Sequence, residues 1–241
     1  MNACIDIGNT YIKTGLYSEN NLIKLDILPS MPLNNIYKIL EGKDFSNIIL
    51  SSVIEMPEHI LKYIKAKSQK FIYLGFNTPL PFKNRYQKPE TLGSDRIAQA
   101  AGAQGLFPSR NVLAISAGTC LVYDFIDKKG QYLGGAISPG MEMRFRALSQ
   151  FTAKLPHLKP DIEPTPLTGK NTEQSIVSGV INGMIFEVEK AIETYNTQYD
   201  NLCCILSGGD SRYLADRLAI PIYVEPNLTL TGLNKILQFN A

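Results

Sequence analysis

Two apolar strands that lie 110 residues apart in the chain end in the same kind of glycine turn. Ala3–Ile7 runs into Gly8, and Val112–Ala117 runs into Gly118. At this offset three pairs of residues align: Asp6 with Ser116, Gly8 with Gly118, and Asn9 with Thr119. A pattern that recurs at a fixed offset indicates an internal duplication. We therefore expect two related halves, residues 1–110 and residues 111–241.

Both halves have the same order of predicted elements, which is three strands joined by hairpins and then helices alternating with single strands. Apolar runs bounded by turn residues predict strands at Ala3–Ile7, Tyr11–Tyr17, Leu22–Leu28, Asn47–Ser51, Phe71–Leu74, Val112–Ala117, Leu121–Ile126, Tyr132–Ile137, Leu202–Leu206 and Ile222–Val224. Helical spacing and composition predict helices at Pro32–Leu40, Pro57–Ala66, Leu92–Leu106, Met141–Gln150, Thr172–Tyr195, Arg212–Leu218 and Leu230–Leu237. This order predicts an α/β fold in which each half is a mixed sheet flanked by helices, with a ligand cleft between the halves.

The charge balance argues against a nucleic-acid partner. The chain has 24 Lys and Arg against 22 Asp and Glu, a net charge of +2, and so lacks the basic excess of such proteins. No apolar run reaches the roughly 18 residues of a transmembrane helix. The first residues have neither the basic nor the apolar region of a secretory signal. We therefore expect no membrane partner and a cytoplasmic location.

The four cysteines do not form a metal-binding motif. Cys4, Cys120, Cys203 and Cys204 all lie in apolar, strand-like stretches, and none of them has C-x-x-C spacing. Neither histidine has a cysteine near it in the sequence. A zinc site is therefore unsupported, and the pattern is typical of buried free thiols in a reducing compartment.

The first glycine turn is a candidate phosphate cradle. A glycine lets backbone N–H groups approach an anionic oxygen, and Thr10 and Lys13 can add donors. Asp6 can hold a cation or its water shell beside the phosphates. The alternative is an ordinary hairpin between two strands, in which Gly8 and Asn9 tolerate a positive φ. The second glycine turn at the equivalent place favours the cradle.

The segment Gly93-Ser94-Asp95-Arg96 precedes an Ala-rich predicted helix. One explanation of Asp95 is structural: a carboxylate in the first turn of a helix interacts favourably with the helix dipole. Asp95 is also a candidate general base, since Arg96 beside it favours the ionised carboxylate and can grip a substrate carbonyl or carboxylate.

Other glycine-rich segments are weaker signals. Ser207–Asp210 follows a strand and precedes a helix, which is either a simple turn or a close approach of backbone to an adenosine or phosphate group. Gly134-Gly135, Pro139-Gly140 and Thr168-Gly169 are typical of turns. Arg144 and Arg146 follow on the next helix, where we expect them on a solvated face.

Together, six segments resemble the type III pantothenate kinases, members of the acetate and sugar kinase/actin/heat-shock ATPase superfamily. The segments are DIGNTYIK (Asp6–Lys13), YQKPETLGSDR (Tyr86–Arg96), SAGTC (Ser116–Cys120), YLGGAISPG (Tyr132–Gly140) with the following ALSQFTAKLP (Ala147–Pro156), GKNTEQSIVSG (Gly169–Gly179) and LSGGD (Leu206–Asp210). The resemblance covers nearly the whole chain. It implies two ribonuclease-H-like, actin-like halves with the active-site cleft between them.

The resemblance implies ATP-dependent phosphorylation of pantothenate to 4'-phosphopantothenate, the first step of coenzyme A biosynthesis, with Asp95 as the general base. It implies that ATP is bound by Asp6, Ile7, Gly8, Asn9, Thr10, Tyr11, Ile12, Lys13 and Thr119. It implies pantothenate contacts from Tyr86, Gly93, Ser94, Asp95, Arg96 and Thr172. Family members are homodimers with shared active sites, and Thr172 reaches the substrate across the dimer interface. They also require magnesium and a monovalent cation, potassium or ammonium.

One residue departs from the family pattern. The second hairpin of the family begins with an aspartate that binds the monovalent cation, and Ser116 stands at that position here. A serine offers a neutral oxygen in place of a full charge beside phosphates and a cation. Asp124 lies on the following predicted strand, eight residues on, and is not expected to replace it. This single change predicts reduced turnover or altered cation dependence.

Two other functions remain open at this stage. One is a catalytically weakened or regulatory nucleotide-binding relative, since the family has also carried the label of an accessory factor for transcription. Only Ser116 favours it, and a regulator would be free to lose Asp6, Asp95 and Arg96. The other is a kinase of the same superfamily that acts on a different small hydroxyl compound, against which the Tyr86–Arg96 segment argues.

Overall fold

The structure is a computed structural model that describes residues 1–159 and 166–240, and those residues form eleven strands and seven α-helices. The strands are β1 (Asn2–Ile7), β2 (Tyr11–Ser18), β3 (Asn21–Pro29), β4 (Phe45–Ser52), β5 (Ser68–Tyr73), β6 (Lys83–Asn84), β7 (Asn111–Ala117), β8 (Cys120–Ile126), β9 (Gln131–Pro139), β10 (Leu202–Ser207) and β11 (Tyr223–Val224). The helices are α1 (Asn35–Leu40), α2 (Glu58–Ala66), α3 (Ser94–Leu106), α4 (Met141–Gln150), α5 (Thr172–Gln198), α6 (Ser211–Ala215) and α7 (Leu228–Phe239).

The chain divides into two compact units that do not follow a single cut in the sequence. The first unit contains Met1–Ser109, Ile126–Gly134 and the carboxy-terminal segment that begins at Asn227. The second contains Arg110–Phe125 and, apart from residues 160–165, Gly135–Pro226. The boundary at residue 110 expected from the repeat remains a prediction about the two halves of the duplication.

The first unit is built on a mixed sheet with the strand order β3-β2-β1-β4-β5. Strands β1, β2 and β3 are antiparallel neighbours, whereas β1 pairs in parallel with β4 and β4 with β5. This is the predicted arrangement, in which hairpin strands are extended by strands that follow helices. Strand β6 pairs in parallel with the first residues of β9, also within this unit.

The two faces of β1 have different roles because side chains alternate along a strand. Ala3, Ile5 and Ile7 are buried in a core that α1 and α2 complete. Asp6 lies on the opposite face, on which α7 packs against β1, β2 and β4. The face that carries Asp6 is therefore the one on which this strand presents a carboxylate.

Helices α3 and α7 approach each other closely through two glycines. A Cβ on Gly102 would lie 2.6 Å from the carbonyl oxygen of Leu228, and one on Gly232 would lie 1.7 Å from that of Ala98. Neither position can hold a larger residue without a shift of the backbone. Packing of α7 therefore fixes where α3 lies, and Asp95 is in the first turn of α3.

The second unit has the strand order β11-β10-β7-β8-β9. Strand β10 pairs in parallel with both β7 and β11. Leu113, Ile115 and Ala117 of β7 are buried in a core that the long helix α5 shares, while Ser116 lies on the other face of the strand. Among the described residues, no helix is both long enough and apolar enough to cross a membrane.

Candidate active site

Asp6 is held near the end of β1 between two polar partners. It is paired in register with Lys13 on β2 and with Ser51 on β4, so the three side chains lie side by side on one face. Burial, and then the charge of Asp95, raise the pKa of Asp6 to about 6, while hydrogen bonding with Ser51 and the charge of Lys13 oppose the rise. Within the described part of the chain, Oδ1 of Asp6 is buried and accepts no hydrogen bond.

Two serines connect this strand end to the first turn of α3. The hydroxyls of Ser51 and Ser94 lie 3.0 Å apart, and Ser94 Oγ also donates to the carbonyl oxygen of Ser52 at 3.2 Å. The first residue of α3 is therefore tied to the end of β4, next to Asp6. Ser94 lies in a segment that the sequence marks as distinctive, whereas no pattern marks Ser51 and Ser52, because small polar residues at a strand end are usual.

Asp95 occupies the second position of α3 and is half-buried. Burial raises the pKa of its carboxyl, while hydrogen bonds from the backbone amides of Arg96 and of Asp95 itself and the charge of Arg96 oppose the rise. A Cβ on Gly93 would lie 2.5 Å from Oδ1 of Asp95, so glycine leaves the room that this carboxylate occupies.

Arg96 and Tyr86 lie together in the same unit. The Arg96 side chain is buried, and its guanidinium carbon is 5.7 Å from the centre of the Tyr86 ring. The Tyr86 ring is in turn 6.1 Å from the ring of Tyr132. The structure thus brings Tyr86 and Gly93–Arg96 together, as the resemblance implies, although their contact with a substrate stays a prediction.

The first glycine turn is a compact hairpin whose tip is exposed. The N–H of Gly8 donates to the carbonyl oxygen of Tyr11 at 3.0 Å, and its carbonyl oxygen accepts from Ser30 Oγ at 2.6 Å. Asn9, Thr10 and Tyr11 are exposed. The turn requires no positive φ at Gly8 or Asn9, so the expected conformational reason for these residues is wrong.

Ile7 and Ile12 flank this turn and are fully buried, so only their backbone groups are available to a ligand. Thr10 and Lys13 remain the side chains that can add donors, as the sequence predicts.

Three backbone segments meet at the second glycine turn. A Cβ on Gly140 would lie 2.1 Å from the carbonyl oxygen of Gly118, and one on Gly208 would lie 2.2 Å from that of Ala117. Gly208 also has a φ of +91°, which favours glycine. Gly140 and Gly208 therefore have to be glycines for their backbones to pack against this turn.

Thr119 is exposed at the tip of the second turn, and Ser116 is half-buried two residues before Gly118. Ser116 is paired in register with Ser207 of β10, so the pair contributes hydroxyl oxygens and no carboxylate. Asp210 immediately precedes α6. Burial, together with the charge of Glu142, raises the pKa of its carboxyl.

Thr172 is the first residue of α5 and is exposed. The preceding Asn171 caps the helix by accepting a hydrogen bond from the backbone N–H of Gln174 at 2.9 Å. Its role across a dimer interface stays a prediction.

One expectation about the basic residues is wrong. Arg146 is exposed on α4, as predicted, but Arg144 is hydrogen-bonded to the end of β9 and to Glu187 of α5. Spacing within α4 alone does not reveal these partners, since Glu187 lies 43 residues further on.

Comparison with known proteins identifies the family. The family model described as type III pantothenate kinase matches residues 3–194. A type III pantothenate kinase from Christiangramia forsetii is 43% identical over 243 aligned residues, which cover 100% of this chain and 99% of the relative. The chain belongs to the type III pantothenate kinase family. The resemblance inferred from the six segments is therefore confirmed.

Solved structures agree with the fold. A protein described as a Baf family transcriptional activator from Campylobacter jejuni is 23% identical, with a TM-score of 0.65 and coverage of 99% of this chain and 98% of that one. A protein described as a 2-dehydro-3-deoxygalactonokinase from Sinorhizobium meliloti is 12% identical, with a TM-score of 0.62 and coverage of 100% of this chain and 99% of that one. At these identities the likeness concerns the fold alone, and it confirms the predicted α/β class.

Proposed function

We propose that this family member transfers the γ-phosphoryl group of ATP to the primary hydroxyl of pantothenate and produces 4'-phosphopantothenate. The observation that supports this most directly is the connected group Asp6, Ser51, Ser94 and Asp95, with Arg96 beside it. In this group, the carboxylate proposed for the phosphate side and the one proposed as the base are connected through two serines of the first unit. Phosphoryl transfer depends mainly on such positioning and on charge neutralisation.

Asp95 is proposed as the general base that accepts the hydroxyl proton of pantothenate. Its carboxylate lies at a helix start, where the backbone amides and Arg96 favour the ionised form, while burial favours the protonated form. A base held between these opposing effects can be ionised before the reaction and can take up a proton during it. Tyr86 and Arg96 are proposed to orient the substrate.

Magnesium fits the residues around Asp6. The buried Oδ1 of Asp6 accepts no hydrogen bond from any described residue, and a second carboxylate, Asp95, adds negative charge nearby. Oxygen ligands of this kind suit Mg²⁺, which would neutralise charge on the ATP phosphates when bound. The backbone of Gly8–Thr10, the side chain of Lys13 and Thr119 of the second turn are proposed to bind those phosphates.

A monovalent cation fits the second turn less well. Ser116 and its register partner Ser207 offer neutral oxygens, whereas the family resemblance implies a carboxylate at position 116. We therefore derive no step through potassium or ammonium, and we propose that the dependence on this ion is weaker than in a relative with aspartate here.

A homodimer is proposed because Thr172 is exposed and, among the described residues, the face of α5 beyond it borders a depression. This depression of about 500 Å³ is lined by Ser175, Gly179, Gly183 and Phe186, among others. Phe186 is 54% exposed. A large aromatic residue beside a groove of small residues is suited to contact with a second copy. The cytoplasmic location remains a prediction from the sequence.

Family membership at 43% identity favours the kinase over the regulatory alternative, as does the presence of Asp6, Asp95 and Arg96. The deciding experiment incubates the purified chain with ATP, Mg²⁺ and pantothenate, follows ADP release with a coupled assay, and identifies the product by mass spectrometry. We expect ADP release that requires pantothenate and a product heavier by one phosphoryl group. ATP binding without any pantothenate-dependent release would instead support the regulatory alternative.

A further inference from the structure

Arg144 is fixed against the end of β9 rather than exposed on its helix. Its Nε donates to the carbonyl oxygen of Pro139 at 2.8 Å, and its Nη2 donates to Ser138 Oγ at 3.0 Å. The planar guanidinium presents several donors in a fixed geometry, so it can hold both groups at once. The last two residues of β9 are therefore attached to a side chain of the helix that follows them.

Glu187 binds the same guanidinium nitrogen that contacts Ser138. Arg144 Nη2 pairs with Glu187 Oε2, and the second carboxylate oxygen accepts a hydrogen bond from the Tyr123 hydroxyl at 3.2 Å. The side chains of Arg144 and Glu187 are 20% and 31% exposed, and Tyr123 is 4% exposed. Residues from β8, α4 and α5 thus form one hydrogen-bonded group, which we call the Arg144 clamp (Tyr123, Arg144 and Glu187).

The clamp acts on the segment that rests on the second glycine turn. The N–H of Gly140 donates to the carbonyl oxygen of Thr119 at 3.2 Å, and the absence of a side chain at Gly140 lets its backbone touch that of Gly118. No side chain lies between the two backbones. A displacement of Ser138–Gly140 would therefore also displace the turn that carries Thr119.

We propose that Arg144 is a positioning residue for ATP, and that with Glu187 it holds the Ser138–Gly140 segment against the Gly118-Thr119 turn. The inference rests on the proposed function in one respect, which is that this turn receives ATP phosphates. A backbone cradle gives its full interaction only when its N–H groups are already aimed at the anion. The Arg144 clamp would orient these N–H groups without contacting the nucleotide itself.

A purely stabilising role for the clamp makes a different prediction. A partly buried ion pair contributes little net stability compared with a well-packed alternative, but removal of one partner leaves the other without compensation. Such a loss would lower the melting temperature and the yield of active enzyme, and the KM for ATP would stay unchanged. A rise in the KM for ATP therefore separates positioning from stability.

The experiment compares Arg144→Gln with Arg146→Gln, which removes the same charge from an exposed position on the same helix. We expect Arg144→Gln to raise the KM for ATP, and through it to reduce kcat/KM for ATP by about tenfold to a hundredfold. The KM for pantothenate should stay within about twofold, since its proposed contacts in the first unit are untouched. Arg144→Lys should recover part of the loss, because an ammonium can pair with Glu187 but cannot also hold Pro139 and Ser138.

Equal KM values for ATP in Arg144→Gln and Arg146→Gln would overturn the proposal. If Arg144→Gln does not fold, Ser138→Ala and Glu187→Gln decide instead: a rise in the KM for ATP of about threefold or more in either variant supports the clamp, and no rise in both overturns it. If the unchanged chain does not phosphorylate pantothenate, the proposed function fails. Titration calorimetry with ATP and Mg²⁺ on the Arg144→Gln and Arg146→Gln proteins then still tests the clamp.

Discussion

Ser51 Oγ lies 3.0 Å from Ser94 Oγ, and this contact joins the end of a sheet strand to the first residue of the helix that carries Asp95. Ser51 is also the register neighbour of Asp6. The contact therefore connects the strand neighbour of Asp6 to the residue that precedes Asp95, although the two carboxylates stand 89 residues apart in the sequence. We infer that the position of the candidate base depends on Ser51, which is not among the residues predicted to bind either substrate.

Ser51→Ala tests this dependence. Removing a buried hydroxyl should lower the free energy of unfolding by about 1 kcal/mol. We expect a fall in kcat of about tenfold, because α3 loses the contact that fixes Asp95 relative to Asp6. Steady-state kinetics and thermal melting measure both effects. Ser46→Ala, at the exposed start of the same strand, is the control: it removes a hydroxyl that accepts an exposed hydrogen bond from the amino terminus, so it should leave kcat unchanged and alter the free energy of unfolding by less than about 0.5 kcal/mol.

Asp95→Asn should abolish most of the turnover and leave ATP binding intact. A general base typically contributes a factor of about 10² to 10⁴, and an amide cannot accept the proton. Single-turnover kinetics and calorimetric binding of ATP check the two parts. Asp44→Asn is a suitable control, since this carboxylate is 90% exposed. Activity of Asp95→Asn within a factor of about three of the original chain would exclude Asp95 as the base.

Asp6 makes stability depend on pH in the absence of metal and nucleotide. Its pKa of about 6 in the folded chain lies above the ordinary value of 3.8, so between these values the folded chain binds a proton that the unfolded chain has released. The free energy of unfolding therefore falls as pH rises from about 4 to 6 and stays low above that. The expected decrease in the free energy of unfolding over this pH range is on the order of 3 kcal/mol.

Asp6→Asn should remove this decrease in the free energy of unfolding with rising pH. The variant is expected to match the original chain near pH 4 and to be more stable at pH 7.5, as measured by denaturant unfolding at both pH values. Addition of Mg²⁺ should stabilise the original chain and not the variant. A variant that is less stable than the original chain at pH 7.5 would show that the Asp6 charge is compensated in the folded chain.

Gly208 and Gly209 offer a matched pair. An alanine Cβ at Gly208 would lie 2.2 Å from the carbonyl oxygen of Ala117 on a backbone with φ of +91°, whereas nothing lies within 4 Å of one at Gly209. Gly208→Ala should cost at least about 2 kcal/mol and weaken ATP binding, because the second turn must move. Gly209→Ala should stay within about 0.5 kcal/mol. Thermal melting and calorimetry with ATP give the comparison.

Ser116→Asp should strengthen the response to potassium. A carboxylate at this strand end adds a full charge where the serine offers a neutral oxygen. We expect the potassium concentration for half-maximal activity to fall severalfold, measured with ADP release at constant ionic strength. Ser18→Asp, which adds the same charge at an exposed strand end of the first unit, controls for net charge. Identical potassium curves for all three proteins would refute a cation role for position 116.

Local patterns predicted most elements because the forces that make them are local. The helix Met141–Gln150 has the predicted limits, and the strand Val112–Ala117 gains only Asn111 in the structure. Helices expected from Pro32 and Pro57 begin later, at Asn35 and Glu58, since the prolines precede the first helical turn. The two-residue strand β6 escaped prediction because its partner, β9, lies 48 residues away and no local pattern marks it.

The residues of the candidate site also divide into those that a local sequence pattern predicts and those that it does not. Asp95, Arg96 and Tyr86 could be predicted because charged and aromatic residues beside glycine at an element boundary are distinctive. Ser51 and Glu187 could not, since their significance comes only from what the folded chain places next to them: Ser94 in one case and Arg144 in the other.

The closeness of α3 and α7 bears on how the protein is made. Helix α3 begins at Ser94, but the helix that packs against it through Gly102 and Gly232 begins at Leu228. A ribosome that builds the chain from its amino terminus will have completed all of the second unit before it supplies this partner. The helix that bears Asp95 therefore reaches its final packing only after residues 228–239 have emerged, and a chain cut short before them cannot assemble this corner.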